Sequence, residues 1–137
     1  MTKSEKNIEK DLFRLIKASA LAGMVSGKVY RKGMRPEGSE LEDIIVKFLA
    51  GQEGQIQSGV IVLSVYVPNI TRKGITRKVE NTARVEELEN AIIDFVKTCP
   101  DTEYLYEFDE TMTSLDVEDI DQHAINARIH YQRLTED

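Results

Sequence analysis

The stretch from Val60 to Val67 limits the possible folds more than any other part of the sequence. It is an almost unbroken run of β-branched, aliphatic and aromatic residues. With the two-residue period of a strand, both of its faces are apolar, whereas a half-exposed strand alternates apolar and polar side chains. We therefore expect a central strand of a small sheet. Helices would cover one face, and another copy of the chain or a partner would complete the other face or an edge beside it.

Length and composition favour a single intracellular domain. The chain has 137 residues, a formal net charge of −6, and 41% hydrophobic and 31% charged residues, values that are ordinary for one soluble domain. The negative charge argues against a general nucleic-acid binder. Cys99 is the single cysteine, so it can form no internal disulfide and no zinc pattern. No apolar run reaches the roughly 20 residues that cross a bilayer.

The periodicities predict an α+β fold. Strands occur in adjacent runs rather than in regular alternation with helices, in the order α-β-β-β-α-β-β. We expect residues 1–137 to form one domain with a mainly antiparallel sheet of four to five strands and two helices on one face. The strand before the central one should form a hairpin with it. The predicted elements are a helix Ser4–Leu21, strands Lys28–Arg31, Asp43–Ala50 and Val60–Val67, a helix from Asn81 or Thr82 to Thr98, and strands Thr102–Phe108 and Gln122–Arg133.

A short duplication, Ile-Thr-Arg-Lys, occurs twice around Gly74 in the segment 69–80. The segment is predicted to be either a hairpin-like arm or an irregular excursion. Its cations could contact an acidic protein neighbour or DNA, and the sequence leaves both open. The cations are Arg72, Lys73, Arg77 and Lys78.

No catalytic pattern emerges. Ser39 and Asp43 could be combined with His123 or His130, but no Gly-x-Ser-x-Gly elbow accompanies them. The two histidines are seven residues apart, so on a strand they point to opposite faces and cannot share a metal. The acidic stretch Asp109–Asp121 is predicted to be a loop, and it lacks the glycine and distal glutamate of a calcium-binding EF-hand. We expect no enzyme, metal or cofactor, and we expect Arg35 to shape its loop by pairing with Glu40 or Asp43.

The segment Tyr30–Val46, with the Val-Tyr-Val-Pro ending at Pro68, resembles small phage- and prophage-encoded tail proteins. The order of elements is similar to that of tail-terminator and tail-completion (head–tail joining) proteins. The resemblance implies a non-enzymatic structural protein that forms a ring, often hexameric, at the end of the tail tube. Its partners would be other copies and tail or connector proteins, first in the bacterial cytoplasm and then in the virion tail.

A ring of identical subunits needs two complementary surfaces on each subunit. We expect the basic segment to be one of these surfaces and the acidic segments to be the other. Such opposite charges set the register between neighbouring subunits more than the affinity of their contact. The predicted interface residues are Arg72, Lys73, Arg77, Lys78, Glu40, Glu42, Asp43, Asp116, Glu118 and Asp119.

An alternative hypothesis is a bacterial module that binds a small molecule or a peptide. Its pocket would lie between the sheet and the helices, with Tyr66, Tyr104 and Tyr106 as lining residues. An enclosed apolar pocket with a few convergent polar groups would favour this hypothesis over assembly.

Overall fold

The computed structural model describes residues 2–52, 56–99, 103–117 and 119–134. These residues form three helices and eight strands. They are α1 (Glu5–Lys17), α2 (Ala20–Met24), β1 (Val29–Arg31), β2 (Ile44–Gln52), β3 (Ile56–Pro68), β4 (Ile70–Arg72), β5 (Ile75–Val79), α3 (Thr82–Lys97), β6 (Tyr104–Phe108), β7 (Thr113–Val117) and β8 (Gln122–Leu134).

The main sheet has the strand order β1-β2-β3-β8-β6, and β7 also pairs with β8. Only the β1–β2 pair is parallel, and the other pairs of this sheet are antiparallel. The prediction of a mainly antiparallel α+β fold is therefore confirmed. The sheet has six strands, because part of the predicted acidic loop forms β7 and pairs with the first half of β8.

The apolar stretch is an interior strand, as predicted. It belongs to β3, which forms a hairpin with β2 and pairs along its whole length with β8. The second edge of β8 is occupied by β7 near its start and by β6 near its end. β8 is thus as central to the sheet as β3, although it is the last strand along the chain.

Both long helices pack on one face of the sheet, as predicted. Their buried side chains join those of β3 and β8 in one apolar core that includes Leu12, Leu88, Leu63 and Ile129. The first helix ends at Lys17, earlier than predicted, and α2 follows as a separate turn. Ser19 causes the break because its backbone is extended and its N–H and Oγ both donate to the Ile16 carbonyl oxygen.

The second face of the sheet is partly covered by the chain itself. Arg35, from the loop between β1 and β2, stacks on Tyr66 with 4.0 Å between its Cζ atom and the ring centroid. Ser64 is buried and donates to Asn126 Oδ1 over 2.7 Å. Val60 and Val62 remain half-buried. The expectation that a partner completes this whole face was too broad, since the chain's own loop covers the Tyr66 end.

A pair of glycines lets Tyr131 pack across the β2–β3 hairpin. Gly51 and Gly59 are register partners, and a Cβ atom on Gly51 would lie 2.7 Å from the Tyr131 hydroxyl. The Tyr131 side chain is fully buried. Within the described residues its hydroxyl has no hydrogen-bond partner, so this hydroxyl is desolvated without compensation.

Replacing Tyr131 with phenylalanine is expected to leave the free energy of unfolding unchanged or to raise it by about 1 kcal/mol, since it removes an unsatisfied buried hydroxyl. Tyr104 is the matched control because its hydroxyl donates to Asp11 Oδ2 over 2.6 Å. Tyr104→Phe should destabilise by about 1.5–3 kcal/mol, the value of a hydrogen bond to a charged group. Urea unfolding followed by circular dichroism compares the two variants. Equal losses would contradict the prediction.

Candidate functional site

The duplicated segment forms a two-stranded arm. β4 and β5 pair with each other as a separate sheet, and Gly74 turns the chain between them with φ +85°. All residues from 71 to 78 are exposed, on both faces of the hairpin. The hairpin form, one of the two that the sequence allowed, is therefore the one observed. None of the arm's four cations has an ion pair with the described part of the chain.

The root of the arm is anchored to the start of β8. The Asn69 N–H donates to the Asp121 carbonyl oxygen over 2.9 Å, and His123 Nδ1 lies 2.7 Å from Asn69 Oδ1. On the other side of the arm, Glu80 accepts from the Ser114 hydroxyl and lies 3.8 Å from His123 Nε2. The arm therefore leaves the domain from a fixed root while its tip is free.

The exposed predicted carboxylates lie next to this root. Glu40, Lys78 and Asp119 line one surface depression of about 540 Å³, and Arg77, Lys78 and Asp116 line another of about 430 Å³. Glu118 lies outside the described residues. The acidic loop and the arm's root thus border each other in one chain. This arrangement is a correction, because separate basic and acidic surfaces were expected.

Two other predicted interface residues, Glu42 and Asp43, are internal. Glu42 binds the guanidinium of Arg84 through both oxygens, at 2.8 and 2.9 Å, and is mostly buried. Asp43 is fully buried. Their carboxylates are occupied within the chain and are not free for a neighbour. The error arose because the sequence Glu-Leu-Glu-Asp looks like an exposed acidic turn.

Asp43 organises the loop between β1 and β2. Its carboxylate accepts from Arg35 Nε over 2.8 Å, from the Ser39 hydroxyl over 2.6 Å and from the Lys28 N–H over 3.0 Å. Arg35 also donates to Gln122 Oε1 over 2.9 Å. Burial alone would raise the pKa of Asp43, but the hydrogen bonds from Ser39 and Arg35 outweigh it and lower that pKa. Of the two expected partners of Arg35, Asp43 is therefore the one observed.

The residues considered for catalysis do not meet. Ser39 and Asp43 are hydrogen-bonded, but His123 contacts Asn69 and Glu80. His130 contacts Glu107 instead. Burial raises the pKa of Cys99, which opposes formation of a thiolate nucleophile. In the described ranges no group of three or more metal-ligating side chains is found.

An apolar groove lies between α3 and β6, in the region between sheet and helices where the alternative hypothesis placed a pocket. This α3–β6 groove has a volume of about 550 Å³ and includes Ile93, Val96, Cys99, Leu105 and Phe108. Tyr104 and Tyr106 also line it, as the alternative hypothesis expected, and they stack with 5.3 Å between ring centroids. The three-tyrosine pocket of the alternative hypothesis is wrong in one respect, because Tyr66 lies on the opposite face of the sheet under Arg35.

Comparison with known proteins supports the fold and leaves function open. No protein-family model matches the chain, and no curated protein matches it in sequence. One solved structure, of a protein known only by a sequence identifier, has a TM-score of 0.52 over 99% of both chains at 10% identity. That likeness extends to the fold alone. The chain is an α+β domain with a mainly antiparallel sheet, and among its described helices none is long and apolar enough to cross a membrane.

Proposed function

We propose that this protein is a non-enzymatic assembly subunit of a phage or prophage tail, whose copies form a ring at the end of the tail tube and join it to the head. The observation that carries the proposal is the exposed arm. Four cations project from a protein of net charge −6, and none is neutralised by an ion pair with the described residues. Such an arm is suited to a charged protein neighbour.

Two further features support assembly. Identical subunits in a ring meet through head-to-tail contacts between two different surfaces, and an anchored arm with a free tip provides one such surface. Val60 and Val62 on the second sheet face are half-buried, so apolar area also remains for a neighbour. On this proposal the protein acts in the bacterial cytoplasm while tails assemble and then in the virion tail.

The decisive experiment mixes the purified protein with isolated tail tubes. We expect a ring at one end of the tube in negative-stain images. Where the protein also associates without tubes, light scattering after size exclusion should give a discrete oligomer such as a hexamer. The tubes are essential because a subunit of this kind can stay monomeric until it meets its partner. Absence of the protein from both ends of the tubes would contradict the proposal.

Reversing the arm's charges tests which surface is used. The variant with all four arm cations changed to glutamate is expected to keep its circular dichroism spectrum and to lose binding to tail tubes, because like charges then face each other. Undiminished binding of this variant to tail tubes would exclude the arm as the binding surface. The control has the same change in net charge at four exposed cations elsewhere and should bind normally; its positions are Lys6, Lys17, Lys28 and Lys32.

The α3–β6 groove favours a second candidate function, a module that binds a small apolar ligand or peptide. Apolar and aromatic side chains line most of its surface, as in ligand sites. Thermal-shift measurements with apolar ligands separate this function from assembly, because an assembly protein should show no ligand-dependent stabilisation. Capsid, portal and tail-tube genes beside the coding sequence would favour assembly.

A further inference from the structure

The strand β6 is an open edge of the main sheet. Within the described chain it pairs only with β8, so its outer backbone N–H and C=O groups are available to another strand. Leu105 on this strand is 58% exposed. The opposite edge, β1, is only three residues long, and its Arg31 is bound to Glu9 over 2.9 Å. β6 is therefore better suited to strand addition than β1.

One carboxylate lines the α3–β6 groove and a second lies one helical turn from it. Glu89 precedes Ile93 by one helical turn on α3, and burial together with repulsion from Glu80 and Glu86 raises its pKa. Glu107 lies on β6 with its side chain 63% exposed, and its ionic contact among the described residues is His130 at 3.5 Å. Among the described residues, Lys97 is the one cation that lines the groove, and Glu107 is the one carboxylate. With Glu89 one turn away, two carboxylates stand against one lysine, so a cation from another copy would find an unbalanced negative charge there.

The arm has the complementary properties. β5 and β6 are each five residues long, and Ile75 at the start of β5 is an exposed apolar side chain. Arg72 and Lys73 lie at the tip next to it. The arm thus combines a strand for the open β6 edge, an apolar side chain for the apolar groove and positive charge for the nearby carboxylates.

The arm cannot fill the groove of its own chain. Its root contacts His123, and the near end of the groove is Phe108, which pairs with Ile129. Ile129 is six residues further along β8, or about 20 Å. The arm from Ile70 to its tip at Lys73 spans only about 10 Å at the same rise per residue. A second copy must therefore supply the strand.

We propose that the arm of one copy adds to the β6 edge of the next copy, with Ile75 in the α3–β6 groove and the tip cations against Glu89 and Glu107. This inference rests on the proposed self-assembly and names the surfaces that carry it. Main-chain hydrogen bonds would provide affinity and the side chains specificity. Because arm and groove are different parts of the subunit, the contact is head-to-tail and can close a ring.

A charge swap in the full chain tests the pairing. The arm variant carries Arg72→Glu and Lys73→Glu, and the groove variant carries Glu89→Lys and Glu107→Lys. Each should weaken self-association at least about tenfold by sedimentation velocity, since like charges then meet. An equimolar mixture of the two variants, or all four changes in one chain, should restore it. The control variant Lys6→Glu with Lys28→Glu should associate like the wild type.

A second measurement detects the contact even when it is weak. A spin label on Lys73→Cys, in a Cys99→Ser background, is mixed at millimolar concentration with an isotope-labelled wild-type copy. Intermolecular broadening should centre on Leu105 and Glu107 and on the adjacent turn of α3. Broadening elsewhere, or none, would overturn the arm–groove contact.

The two proposals fail in different ways. Broadening at β6 without any ring on tail tubes would support the arm–groove contact and overturn the tail function. Rings that form equally well with the arm variant and the groove variant would overturn the contact and leave the tail function standing.

Discussion

Replacing Asp43 with alanine is expected to lower the free energy of unfolding by about 3–5 kcal/mol, the usual cost of removing one partner of a buried ion pair. Arg35 would lose its carboxylate while still covered by the loop, and its side chain is only 12% exposed. The Lys28 N–H and the Ser39 hydroxyl would lose their acceptor as well. Urea unfolding followed by circular dichroism measures the loss.

Asp116 supplies the control for this prediction, because it is an exposed carboxylate on β7. Asp116→Ala should change stability by less than about 0.5 kcal/mol.

The Asp43→Asn variant adds a test by pH. Because folding lowers the pKa of Asp43, its charge contributes stability above its ordinary pKa, and the contribution is lost as pH falls through the lower folded value. The gap between wild type and Asp43→Asn should therefore narrow in acid, and a constant gap would refute the role of the charge.

Replacing Gly59 with alanine should destabilise by about 3 kcal/mol, at the upper end of the usual cost of overpacking. The added Cβ would lie 2.1 Å from the Ala50 carbonyl oxygen and 2.7 Å from the Gly51 Cα atom. Both are backbone atoms, so the two strands must separate. An argument from chain entropy alone predicts that this substitution stabilises the protein, because alanine restricts the unfolded chain more than glycine does.

Gly23 provides the matched control for Gly59. It lies in α2, and a Cβ atom there would meet nothing within 4 Å. Gly23→Ala should therefore stabilise the protein by about 0.4–1 kcal/mol. Thermal unfolding of both variants is sufficient for the comparison. Similar melting temperatures for the two variants would show that the Gly59 contact relaxes easily.

The elements with a strong period were predictable, and those defined by their partners were not. Val60–Val67 is apolar on both faces, and only an interior strand satisfies that pattern. β7 has no such pattern, since Thr113 and Ser114 are polar neighbours, and its strand form comes from hydrogen bonding to β8. The position of β8 between β3 and β6 could likewise not be predicted from the sequence, because the order in which strands pair depends on the whole fold.

The candidate site shows the same division. The cations of the arm were visible because a duplicated basic motif is unusual in an acidic chain. The burial of Asp43 could not be predicted from the sequence. Asp43 is covered by Arg35, and Arg35 is held in place by Gln122, which lies 87 residues after Arg35 in the chain. Of the α3–β6 groove, only the contribution of Tyr104 and Tyr106 was predicted, because the contributions of Ile93 and Leu105 depend on how α3 packs beside β6.

The place of β8 in the sheet has a consequence for how the protein is made. A ribosome completes β1 to β7 before β8, yet β3 and both β6 and β7 need β8 as their partner. Until Gln122–Leu134 emerges, the apolar strand β3 has one open edge, which is a hazard for aggregation. The long-range pairing with β8 also predicts slow folding. Yield in cells should thus depend on chaperones that shield β3 during synthesis.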